Sequence, residues 1–188
     1  MKTIAVFCGS SSGNDPIYME EARKLGKRLV EHGLDLVYGG ATVGCMGAVA
    51  DAVMEAGGKA IGVIPEKLVR VEIAHNHLTE LHVVKDMHER KALMAELSDG
   101  FISLPGGTGT LEEWFEVFTW SQLGYHNKPC ALLNINQYYQ PLYSLFDHMI
   151  EQGFVKKEYK DLILIEDDSE KLIERIKNHK GNYIHKWG

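Results

Sequence analysis

The chain has 188 residues, 45% of them hydrophobic and 24% charged, with a formal net charge of −6 and a pI near 5.8. That length fits one domain able to bury a core without staples, and the acidic balance speaks against non-specific nucleic-acid binding, which needs a basic face. Three widely spaced cysteines, Cys8, Cys45 and Cys130, make neither a disulfide framework nor a zinc pattern, so a reducing, cytoplasmic setting is expected.

Short apolar runs alternate with longer segments of helical period. Ile4–Cys8 reads as a buried strand; it is too short for a signal-peptide core or a membrane span, and no membrane association is expected. Asp15-Pro16 opens a helix whose apolar face is Ile17, Ala22, Leu25 and Leu29, and Gly33 stops it. Leu34–Tyr38 is a second strand, followed by a glycine-rich turn over 39–47 and a helix over 48–56. Ala60–Ile64 is a third strand, while 66–79 has no clean period and reads as a long loop or irregular helix. Leu81–Val84, Phe101–Leu104, Ala131–Asn134 and Ile163–Ile165 are further strands. Helices follow them: one capped by Asp86 and running to Leu97, one ending at Leu123 with Gly124 as stop, one near 138–152 and one near 169–178. Regular β-α alternation predicts a Rossmann-like three-layer α/β sandwich, a mostly parallel sheet with helices on both faces, with residues 1–188 forming a single nucleotide-binding domain. Ligands of such sheets bind at the carboxyl ends of the strands.

The segment Leu104-Pro105-Gly106-Gly107-Thr108-Gly109-Thr110 carries the clearest chemistry. A strand delivers the chain to Pro105, the glycines let backbone approach a ligand closely, and the next helix aims free N–H groups and its positive dipole end at the same spot. An anion such as a phosphate belongs there. It is not a Walker A loop, and no G-x-G-x-x-G fingerprint occurs, which disfavours ATP and NAD chemistry. Glu112 and Glu113 follow; being about 100° apart on the helix, only one of them can face the loop. His88-Glu89-Arg90-Lys91 fails as a zinc motif because Ala92 stands where a second histidine is needed. Its helix opens at the same end of the sheet as the glycine loop, so Arg90 is placed to clamp a phosphate bidentately. Gly9-Ser10-Ser11-Ser12-Gly13 matches the letters of a nucleophile elbow, but Asn14-Asp15-Pro16 intervenes before the helix, so a hydroxyl- and amide-rich ligand loop is the better reading. His75 and His77 lack acid or cysteine partners at metal spacing and read as loop or surface histidines. Trp114, Phe115, Phe118 and Trp120 read as core and interface aromatics.

Taken together these segments resemble the LOG-type cytokinin riboside 5′-monophosphate phosphoribohydrolases. Pro105–Glu113 matches P-G-G-x-G-T-x-x-E and Met87–Lys91 matches M-H-x-R-K. Val6–Ser11, Val37–Gly40, Thr119–Gly124 and Lys128-Pro129 match further family segments, so the resemblance spans roughly residues 3–155. It implies hydrolysis of the N-glycosidic bond of a purine riboside 5′-monophosphate or AMP, releasing base and ribose 5-phosphate. It implies Arg90 and Glu113 as the catalytic pair. It places Gly106, Gly107, Thr108, Gly109, Thr110 and Leu111 around the phosphate, and Glu72, Lys91, Glu112, Gly9, Ser10, Gly39 and Gly40 along the nucleotide. No metal or cofactor is implied, and a homodimer is. The sequence departs from the family at Ala41, Cys45-Met46 and Thr108, where a third glycine, a Leu-Met pair and an aromatic residue are usual; these bear on base preference. A non-catalytic nucleotide carrier or sensor of the same fold is the alternative, as is a hydrolase of another phosphorylated ribose compound.

Overall fold

The computed structural model describes residues 1–69 and 74–181. Seven strands form one sheet in the order β4-β3-β2-β1-β5-β6-β7, every neighbouring pair parallel. They are β1 (Thr3–Phe7), β2 (Asp35–Tyr38), β3 (Ala60–Pro65), β4 (Glu80–Val84), β5 (Gly100–Ser103), β6 (Cys130–Leu133) and β7 (Ile163–Glu166). The chain builds outward from β1 to β4, then returns to place β5 against the other side of β1. The crevice beyond the carboxyl ends of β1 and β5 is therefore the topological switch point, where open α/β sheets hold ligands.

Side chains alternate across the strands, so the sheet carries a core on each face. Ile4 and Val6 of β1, with Leu36 and Tyr38 of β2, pack beneath α1 (Ile17–Glu31), α2 (Gly44–Glu55) and α8 (Ser169–Lys177). Ala5, Phe7 and Val37 face the other way, toward α4 (Met87–Glu96), α5 (Thr108–Gln122) and α6 (Gln140–Glu151). Trp114 anchors this second core: it is fully buried and stacks on Phe118 with ring centroids 4.8 Å apart. Each fully buried aliphatic side chain of this kind contributes roughly 1.5–3 kcal/mol.

Most expected elements are present within a residue or two. The second helix is the main difference: it starts at Gly44 rather than 48, so the last four residues of the glycine-rich turn are its first turn. Gly47 is what permits this, because a Cβ there would lie 2.0 Å from the Thr42 carbonyl oxygen. The stretch read as a long loop or irregular helix opens with the short helix α3 (Glu66–Val69), and a second short helix, α7 (Lys157–Lys160), was not expected. One carboxylate ties β1 to β5 at the amino ends of the strands, opposite the switch point. Asp99, just before β5, accepts hydrogen bonds from the backbone N–H of Lys2 at 2.6 Å and Thr3 at 3.2 Å. The Lys2 and Thr3 amides hold its carboxyl below the usual carboxylate range, against the opposing effect of burial. A group depressed in this way stabilises the fold above its unfolded pKa, and that contribution disappears as pH falls through the folded value. Asp99→Asn is expected to lower the Tm at pH 7, with the gap to the wild type closing below about pH 4; thermal melts at both pH values check this.

Candidate active site

The candidate anchor for an anion is the start of α5. Its N-cap residue is Gly107, in extended backbone conformation, with no side-chain cap hydrogen bond. The first-turn N–H groups thus have no side chain covering them, and the helix dipole leaves positive charge there. Neither Gly107 nor Gly109 has positive φ, and a Cβ at either would meet nothing within 4 Å. Neither backbone conformation nor packing requires glycine at these two positions, and the absent side chains leave the backbone here open to close approach from the cleft. Gly106 differs. A Cβ there would strike Thr110 Oγ1 at 2.2 Å and Gly9 N at 2.8 Å, so this glycine lets Thr110 fold back over the loop and lets the β1 loop dock on it. The Gly9 amide donates to the Pro105 carbonyl at 3.3 Å, completing the contact.

A cleft of 340 Å³ opens from this anchor. Gly107, Thr108, Gly109 and Thr110 form one end, with Cys8, Gly9 and Ser10 of the β1 loop. Arg90 and Glu113 form the floor, and Met46, Leu68 and Met87 supply apolar walls. Asp86 fixes the start of α4 by accepting from the His88 and Glu89 amides at 3.0 Å each, which sets Arg90 one turn in. Arg90 and Glu113 are buried, 6% and 8% exposed, with Arg90 Nη2 3.7 Å from Glu113 Oε1. That separation is too long for a hydrogen bond, and Arg90 Nε has no partner among the described residues. A buried guanidinium with donors unspent is poised for a ligand. Its head lies in space that Gly39, at the end of β2, leaves free: a Cβ at Gly39 would sit 2.1 Å from Arg90 Nη2. Cys8 also lines the cleft, but burial pushes its thiol well above the usual range, and Cys45 and Glu113 add to the effect. It stays protonated and is no nucleophile.

The two acids of α5 diverge as the helix geometry requires. Glu113 is in the floor, whereas the Glu112 side chain is 55% exposed at the rim, paired with Lys91. Lys91 itself does not line the cleft. It is buried between helices, bonded to Glu112 and to Glu116 at 3.2 Å, and so clamps α4 to α5. Burial opposes its charge, yet the two carboxylates carry its pKa above the ordinary lysine value. Leu111 points to the core rather than the cleft. Gly40, with φ of +79°, spends its carbonyl on the His75 amide at 2.9 Å and also lies away from the cleft. Glu72 lies outside the described residues.

His75 is not a surface histidine. It is 5% exposed, with Nε2 2.9 Å from Asp51 Oδ1. The His77 amide donates to its Nδ1, so Nε2 carries the proton and donates to Asp51. The pair straps 74–77 onto the β2 loop through the Gly40 bond, a tertiary contact that spacing along the chain does not reveal. Among the described residues no group of three or more His, Cys, Asp or Glu could hold a metal ion, and no helix is long and apolar enough to cross a membrane.

Comparison with known proteins bears directly on this geometry. A cytokinin riboside 5′-monophosphate phosphoribohydrolase of Rhodococcoides fascians is 51% identical over 178 residues, covering 94% of this chain and 90% of that protein. The chain belongs to the LOG family. A LOG protein of Arabidopsis thaliana with the same enzyme name is 46% identical, across 97% of this chain and 84% of its own. Residues 46–176 also match a family model described as possible lysine decarboxylase. Among solved structures, the molybdenum cofactor carrier protein of Chlamydomonas reinhardtii aligns over 96% of this chain and 99% of its own, with a TM-score of 0.72 at 23% identity, which establishes the shared Rossmann-like fold. Of the two segments that carried the resemblance, Met87 and Arg90 of the first and Gly107–Thr110, Glu112 and Glu113 of the second line one cleft.

Proposed function

We propose that the chain hydrolyses the N-glycosidic bond of a purine riboside 5′-monophosphate, giving free base and ribose 5-phosphate. The observation that carries this reading is a buried carboxylate and an anion anchor on one helix. Glu113 stands six residues beyond Gly107, about 9 Å along the axis. A ribose 5-phosphate bridges that span with room for a water molecule at C1′.

In this arrangement the phosphate binds at the start of α5 and supplies remote binding energy that places C1′ beside Glu113. Glu113 takes a proton from water as its oxygen adds to C1′, stabilises the oxocarbenium-like sugar, and returns the proton to the departing base. Arg90 cannot serve as the acid, since a guanidinium does not deprotonate in proteins. It donates hydrogen bonds and balances the carboxylate charge. Met46, Leu68 and Met87 form the walls for the flat base. A carrier would need no buried carboxylate beside the sugar, which favours the hydrolase. The decarboxylase description fits poorly at Lys91: a Schiff-base lysine needs a lowered pKa, and this one is raised.

A cytokinin nucleotide is the preferred substrate, with plain AMP a poorer one. Beyond Leu68 and Met87 the cleft adjoins a 400 Å³ cavity whose wall adds Pro65 and the polar Lys67, Lys85, Asp86 and His88, with the volume for a substituent on the purine laid along its apolar side. The protein acts as a homodimer, a reading supported by Leu123 and Tyr125, 39% and 77% exposed at the end of α5. The test is to incubate the protein with AMP and with N6-isopentenyladenosine monophosphate and quantify free base. Release from both is expected, with kcat/KM about tenfold higher for the prenylated nucleotide, the equivalent of burying roughly two methylenes. Binding without release from either supports a carrier instead.

A further inference from the structure

The serine-rich loop after β1 does more than close one end of the cleft. It walls a second cavity, of 300 Å³, on the other side of the phosphate anchor, and the two cavities share Gly9, Ser10 and Gly107. The far cavity is built and held. Gly13, with φ of +74°, turns the loop, and a Cβ there would lie 2.6 Å from the ring of Tyr18. Tyr18 meets Tyr138 edge to face, with centroids 5.9 Å apart. The Tyr138 hydroxyl donates to the Gly106 carbonyl at 2.6 Å, which fastens this aromatic corner to the phosphate loop. The rest of the lining is serine, glycine, Pro105 and Cys45, with no charged side chain among the described residues.

That chemistry selects an occupant. A second terminal phosphate would bring nearly two further negative charges into a space without a cation. A cation would find no carboxylate. Serine hydroxyls, which both donate and accept, together with tyrosine rings suit a neutral ring that bears hydroxyls. We propose that this cavity receives a sugar or nucleoside esterified to the 5′-phosphate, so that a nucleoside 5′-phosphodiester spans both cavities with its single charge at Gly107. The proposal rests on the phosphate placement given above. Water then adds to C1′ in the Glu113 cavity, the C1′–N bond breaks, the base leaves with the proton taken from that water, and the diester linkage stays intact.

The experiment is competition by uridylyl-(3′→5′)-adenosine against AMP hydrolysis, in the wild type and in Tyr18→Ala, which removes an aromatic wall of the far cavity and lies outside the lining of the Glu113 cleft. Competition is expected in the wild type, with an inhibition constant within about tenfold of the KM for AMP. Tyr18→Ala should weaken the dinucleoside at least about tenfold and leave the KM for AMP within about twofold. Absence of competition in the wild type, or equal weakening of AMP and dinucleoside in the variant, overturns the proposal. A wild type that neither binds nor hydrolyses AMP overturns the phosphate placement instead, and is told apart by the AMP arm alone.

Discussion

Glu113→Gln is expected to reduce base release by about 10³-fold while AMP still binds. The exchange keeps the shape of a side chain that is 8% exposed, and it leaves the start of α5, the proposed phosphate site, unaltered. What it removes, in the proposed mechanism, is the group that accepts a proton from water and the negative charge that faces the forming oxocarbenium ion. The loss should therefore fall on kcat, with the binding constant of AMP within a few-fold of the wild type. Calorimetric titration and single-turnover assays separate the two. Equal losses in binding and turnover would move Glu113 from chemistry to substrate anchoring.

Gly39→Ala should be nearly as damaging, although Gly39 is not part of the cleft lining. The Cβ of alanine would lie 2.1 Å from Arg90 Nη2 and 2.9 Å from Met46 Sδ. Both are far ends of flexible side chains, and Gly39 does not have positive φ, so the backbone accepts alanine and the Tm should change little. The guanidinium must move, however, and a displacement of about 1 Å at a positioned group is enough for a loss near 10²-fold. A double-mutant cycle isolates the cause. In an Arg90→Lys background the head is smaller and the penalty from Gly39→Ala should shrink to a few-fold. An unchanged penalty in that background would show that Gly39 acts through something other than Arg90. Gly47→Ala is a useful contrast: its Cβ would strike the Thr42 carbonyl at 2.0 Å, a backbone collision that acts on folding rather than on Arg90.

The glycine loop, the parallel sheet that carries it and the divergence of Glu112 from Glu113 are legible in the sequence because each follows from local pattern. Helical period separates the two acids, and β-α alternation puts every loop of interest at one end of the sheet. The missing pieces are contacts between distant segments. Nothing near Lys91 announces that it pairs with Glu112 and Glu116 across two helices, twenty-one and twenty-five residues away. Nothing near Gly39 shows that its absent side chain leaves room for Arg90, half the chain's sheet away in sequence. His75 reads as a loop residue until Asp51 of α2 is placed beside it. The early start of α2 was obscured because glycine is a poor helix former, and here packing against Thr42 overrides propensity. Such pairings belong to the fold, and only the folded chain displays them.

The arrangement of phosphate, sugar and carboxylate on α5 is the centre of the account, and a crystal structure of the Glu113→Gln variant with AMP measures it most directly. The phosphate is expected at the amides of residues 107–110, with C1′ within about 3.5 Å of a water or side-chain atom held by residue 113, and the Arg90 guanidinium against the nucleotide. A phosphate bound away from the α5 start, or a ribose turned away from residue 113, would contradict it.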